Sequence, residues 1–164
     1  MYKVPVDNVV VKRSCTPLYE YHQATPNHVF LDEDEEKDVY SGMVMYRTGP
    51  ETVAVFTGQE NAVPMGLAAL DRNSDIDDTD GVRTRAFAVW TGSADAEFEV
   101  TTPAFDDEEI SDSPSGAPIP LYADDDGKLT TDDTNSPPVA QLLEVVNDHK
   151  IRVSLLPPAG TTIS

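Results

Sequence analysis

Residues 41–70, SGMVMYRTGPETVAVFTGQENAVPMGLAAL, and residues 115–146, SGAPIPLYADDDGKLTTDDTNSPPVAQLLEVV, share one layout. Each begins with Ser-Gly, at Ser41-Gly42 and Ser115-Gly116. A short apolar run follows, Met43-Val44-Met45-Tyr46 or Pro118-Ile119-Pro120-Leu121-Tyr122, and then a turn, Thr48-Gly49-Pro50 or Asp124-Asp125-Asp126-Gly127. A second run comes next, Thr52 to Phe56 or Lys128 to Thr130, and a polar loop leads to Val63–Leu70 or Pro138–Val146. One hairpin cannot bury its apolar face alone, whereas two such units can close a small barrel or sandwich. The reading predicts a mostly-β chain with little helix. Gly42 and Gly116 should occupy matching positions, and Val63 and Val139 should both be buried. Neither copy holds a nucleophile, a base or a metal cage, so the pattern belongs to a scaffold that binds surfaces rather than one that performs chemistry.

The same residues resemble the β-tulip capsid decoration (head-stabilising) proteins of tailed viruses. The segment Ala117–Leu129 matches the family's strand and Asp-Gly turn, Pro138–Glu144 its next strand, and Ile151–Leu156 its last. The similarity is best over residues 115–156 and looser over 41–90. The family's glycine in the middle strand is kept at Gly66 and replaced by Ala140 in the second copy. The resemblance implies a small β-barrel, a viral structural protein on the outer surface of an icosahedral head, the major capsid protein as partner, and a homotrimer.

Composition agrees with a β scaffold and narrows its setting. The chain has 164 residues, 39% of them hydrophobic, with 13 Pro and 9 Gly. That length buries roughly 70% of its unfolded surface without staples, and the Pro and Gly content favours short strands. The single Cys15 excludes an internal disulfide framework. No apolar stretch approaches the ~20 residues of a membrane span, and MYKVPVDNVV lacks a signal-peptide layout. A net charge of −19, from 30 acids against 11 bases, opposes binding to DNA or anionic membranes. It also destabilises a compact state unless salt screens it, the Debye length being only ~3 Å at molar salt. With 19 Asp and five Lys, the composition resembles that of proteins from salt-loving archaea and points to a virus of a halophilic archaeon.

Three regions are expected. Residues 1–38 form an extended N-terminal arm and an acidic loop, 39–156 a β domain holding the two related units, and 157–164 a C-terminal tail. Residues 82–91 and 97–101 read as strands. Pro138–Asp148 fits a helix, with proline in the first turn, and equally a strand by period two. The resemblance favours the strand.

The sequence predicts no catalytic residue and no cofactor. Asn73–Gly81 offers alternating oxygen side chains like a calcium loop, with Asp75, Asp77 and Asp80 as weak metal candidates, but the glycine sits at the wrong position. Asp78-Thr79-Asp80-Gly81 has one residue too many for an aspartic protease motif, and its polar setting would not let carboxylates share a proton. His22, His28 and Asp32 lack a fourth ligand nearby. Phe56, Phe87 and Trp90 are expected in the core. Tyr19 and Tyr21, in a proline-broken stretch, and Phe30 are partner-binding candidates, aromatic anchors with large contact area. The alternatives to a head decoration protein are a head–tail joining or tail component, and a cation- or carbohydrate-binding module of a virion spike.

Overall fold

The protein was analysed as a computed structural model, which describes residues 15–17, 26–35, 38–72, 86–91 and 97–156. These residues form eleven strands and no helix. They are β1 (Cys15–Pro17), β2 (Asn27–Leu31), β3 (Val44–Arg47), β4 (Thr52–Val55), β5 (Pro64–Ala68), β6 (Ala86–Thr91), β7 (Glu97–Thr101), β8 (Ile119–Ala123), β9 (Leu129–Thr130), β10 (Ala140–Asn147) and β11 (Lys150–Leu155). Alternation explains most of them. In β7, Phe98 and Val100 are fully buried between outward Glu97, Glu99 and Thr101, and in β11 Ile151, Val153 and Leu155 face inward. The ambiguous stretch at Pro138 is a strand. β10 runs antiparallel to β11 along its length and to β8 over Ala140–Leu142, and these ladders hold it extended.

β2-β4-β3-β5-β6 close a five-stranded barrel, and β1-β7-β11-β10-β8-β9 form a six-stranded sheet. The two are the same wiring used twice. Starting from the hairpin strands, the barrel order is β4-β3-β5-β6-β2, and the sheet reads β9-β8-β10-β11-β7 before ending on β1. Each strand of the second half is therefore the counterpart of the strand five places earlier in the chain.

The registers agree residue by residue. Tyr46 faces Ala54 and Tyr122 faces Thr130; Met45 faces Gly66 and Leu121 faces Ala140. Gly66 faces Thr91 and Ala140 faces Leu155; Val29 faces Phe87 and Val100 faces Ile151. The ring closes in the first half through the parallel β2–β4 pair, Leu31 against Val53. The same contact exists in the second half as a single parallel bridge, Phe105 to Leu129. The halves differ there by an insertion. Phe30 corresponds to Thr101 but Leu31 to Phe105, so Thr102-Pro103-Ala104 are three extra residues that leave the second ring half-open.

The two units thus occupy equivalent places, as their layout predicted, although not every marker residue does. Gly42 is buried with a φ of 104°, while Gly116 is exposed and faces open space. Val139 is buried, but Val63 is 45% exposed: in register Gly66 matches Ala140, so the counterpart of Val139 is the buried Met65, and Val63 lies two residues before it, outside β5. Phe56 and Phe87 are core residues, and Trp90 is partly buried against that core.

One hydrophobic cluster runs through both halves. The β8–β9 turn docks on the first barrel, where the Gly127 carbonyl accepts a hydrogen bond from Val44 N–H at 2.8 Å. Trp90 of β6 lies 5.3 Å from the Phe98 ring of β7. Each large side chain fully buried there contributes about 1.5–3 kcal/mol relative to exposure.

Candidate functional site

Of the partner-binding candidates, Phe30 lies on β2 of the closed barrel. Val29 and Leu31 on either side enter the core, so Phe30 points out and is 43% exposed. β2 falls within the stretch that the sequence assigns to the extended arm, yet it pairs with both β4 and β6 and completes the barrel. Tyr19 and Tyr21 lie outside the described residues, as do Asp75, Asp77 and Asp80. His28 is exposed on β2, and Asp32 accepts a hydrogen bond from the Asp34 backbone. Among the described residues no three His, Cys, Asp or Glu side chains gather to hold a metal ion.

The acids have local structural work. A cleft of about 140 Å³ in the second half is lined by Asp106, Glu109, Asp124, Asp125 and Asp132 with Asn135. Asp106 accepts from the Glu108 and Glu109 backbones, and Asp124 from those of Asp126 and Lys128. Asp132 accepts from the hydroxyl and then the backbone of Thr134, which holds its carboxyl below the usual range. Asn135 reaches the Ala123 carbonyl and Asp125, tying the loop before β10 to the β8–β9 turn. Short Asp side chains are here the caps of tight turns, and Asp124–Gly127 is the hairpin turn that its Asp-Gly announced.

The first half repeats this chemistry. Asp32 follows Leu31 as Asp106 follows Phe105, and each aspartate turns the chain just after the parallel closure. Glu35 accepts the Val55 N–H at 2.9 Å. Burial, then the negative charges of Asp32 and Glu35, push the Tyr46 hydroxyl above its ordinary value. The sequence carries a signal for this: LDEDEE at 31–36 and FDDEE at 105–109 are the same motif.

The described surface carries a few large apolar side chains in an acidic exterior. Besides Phe30, the exposed large apolar residues are Tyr40, Val63 and Val146. The sequence assigned no such role to Tyr40, Val63 or Val146. The signal for Val146 is its place at the outer end of β10, where the buried alternation has already stopped. Past Leu142 the β10 edge is closed by Ser113, whose hydroxyl accepts from Val145 N–H at 2.8 Å and donates to its carbonyl at 3.3 Å. Such capping suppresses unwanted strand pairing.

No curated protein matches the chain. A model of the phage cement protein family matches residues 1–163, nearly the whole sequence. With a β-barrel and a half-open sheet of the same wiring, the chain belongs to the phage cement protein family, structural components of the outer surface of the capsid.

Proposed function

We propose that this chain decorates the icosahedral head of a tailed virus, binding the major capsid protein and cementing neighbouring capsomers as a β-tulip-like homotrimer. The observation that carries this reading is a closed barrel and a half-open sheet of the same wiring on one continuous core, with Phe30 and Tyr40 exposed as aromatic anchors. Binding is mechanical: apolar area is buried and strand edges are paired across the capsomer boundary. The N-terminal segment, with Tyr19 and Tyr21, supplies further contact by lying over a neighbouring subunit. The trimer rests on the resemblance to decoration proteins. The acidic surface, at a net charge of −19, fits a particle that stays soluble in brine, the setting of a virus of a halophilic archaeon.

Quantitative mass spectrometry of purified virions tests the reading. A copy number comparable to that of the major capsid protein supports head decoration. A few copies per particle would assign the chain instead to the head–tail joint or tail. Calcium-dependent attachment to host cells would favour a spike module.

A further inference from the structure

The duplicated wiring exposes one difference between the halves. In the second half, β7 pairs with β11 on one side and takes β1 on the other, with Val100 against Cys15, Glu99 against Thr16 and Phe98 against Pro17. The counterparts of Phe98, Glu99 and Val100 in the first half are Asn27, His28 and Val29 of β2. These pair with β6 alone, and on their other side no strand lies among the described residues. β4 reaches β2 only from Phe30 onward, where Phe30 N–H donates to the Glu51 carbonyl at 2.8 Å, the residues just before Glu51 forming the β3–β4 turn.

The direction of the backbone groups follows from this bond. Residues two apart in a strand aim their N–H and C=O to the same side. Phe30 aims at β4, so His28 aims at the open side.

We propose that this edge of β2, at Asn27–Val29, accepts an extended strand of the capsid shell protein, antiparallel as β1 is on β7, with Phe30 as the neighbouring apolar anchor. Addition of a strand to an exposed edge is a general mode of peptide recognition. The internal precedent shows that an edge with this register takes a three-residue strand. The chain's own β1 is engaged on β7, and the capsid-binding reading makes the shell protein the partner that supplies the strand. The contrast with β10, whose edge Ser113 closes, is that nothing described closes this one. The inference rests on the capsid-binding reading above.

The test compares wild type, His28→Pro and His28→Ala on particles lacking this protein, with hydrogen exchange followed in the free and bound states. Proline removes the outward N–H while sparing the ladder to β6, a placement that edge strands tolerate. His28→Pro should weaken binding about ten- to hundred-fold, the loss of one or two backbone hydrogen bonds, while His28→Ala binds as wild type. The His28 amide should exchange rapidly in free protein and slow at least about tenfold on particles. Undiminished binding by a folded His28→Pro, with wild type bound, overturns the strand and leaves the capsid reading standing. Failure of wild type to bind overturns that reading and the strand with it. If His28→Pro does not fold, the exchange decides alone, and an unchanged His28 amide on particles refutes the proposal. Protection that grows with concentration in isolated protein would assign the edge to a second copy and refute it as well.

Discussion

Substituting Gly127 by alanine tests the contact that makes the two halves one body. Gly127 sits at the tip of the β8–β9 turn with a φ of 87°, a left-handed conformation that side chains resist. That conformation costs a non-glycine residue about 1–2 kcal/mol. An added Cβ would also lie 2.2 Å from Val55 Cγ1 and 3.3 Å from Met43 Cε, both in the core of the first barrel. Overpacking of this kind costs about 1–3 kcal/mol. The sum, about 2–5 kcal/mol, is a large share of the 5–15 kcal/mol that holds a typical domain together. It should lower Tm by about 4–20 °C for a chain of this size. Urea denaturation followed by circular dichroism and by the single Trp90 reads it from the midpoint. Gly116→Ala is the control: its Cβ meets nothing within 4 Å, and the change should stay within about 0.5 kcal/mol. A Gly127→Ala protein less than about 1 kcal/mol weaker than wild type would mean that the turn does not press on the barrel, and the docking of the halves would be wrong.

Gly66→Ala should be costly by a different route, about 1–3 kcal/mol or more, because its Cβ would collide with the Trp90 carbonyl across the β5–β6 pair; the same denaturation experiment reads it. Phe105→Ala removes a side chain only 2% exposed at the lone bridge that closes the second ring, and should cost about 3–5 kcal/mol by the same measure. Thermal unfolding from dilute buffer to multimolar KCl should show Tm rising with salt as 19 net negative charges are screened, and a flat or falling Tm would remove the halophilic reading. Alkaline titration followed by tyrosinate absorbance should show a late-titrating contribution that is lost in Tyr46→Phe. Because folding raises the Tyr46 pKa, its contribution to stability is full below the unfolded value near 10 and fades as pH rises through the folded one.

The strands were legible wherever alternation or a turn residue marked them. Glu97–Thr101 was read to the residue, and the Asp124–Gly127 turn announced its hairpin. The repeat itself was legible in Ser-Gly, Tyr and the Asp-Gly or Gly-Pro turns, but its extent was not. Strands β2 and β6 pair with partners far along the chain, and their counterparts β7 and β11 share almost no residue types with them. Burial is what Phe87 shares with Ile151, and the match of Val29 with Val100 is an isolated one. That is why Asn27–Leu31 read as arm: five residues with a proline before them carry no local sign of ring closure. The exposed face was less legible still, since Val63 and Val139 look alike in sequence, yet the strand register aligns Val139 with Met65 rather than with Val63.

The insertion Thr102-Pro103-Ala104 gives the asymmetry a physical cause. In the first half, β2 passes directly from its partner β6 to its parallel partner β4, so one straight strand joins both sides of the ring. In the second, β7 ends at Thr101 and the chain needs Thr102–Ala104 before Phe105 can reach Leu129. Thr102 is half-buried and Pro103 exposed, so the detour bulges outward before Ala104 and Phe105 return to the core, and it separates β7 from β9. The gap beside Phe98–Val100 is then filled by β1, which ties the N-terminal segment to the half farther along the chain. The first ring has no such detour, and its closure leaves only the short Asn27–Val29 edge beyond the reach of β4. One duplicated scaffold therefore carries two different edges, one committed to its own chain and one facing outward. In a protein that belongs to the outer surface of a capsid, the edge that no described strand covers is where we propose that the shell takes hold.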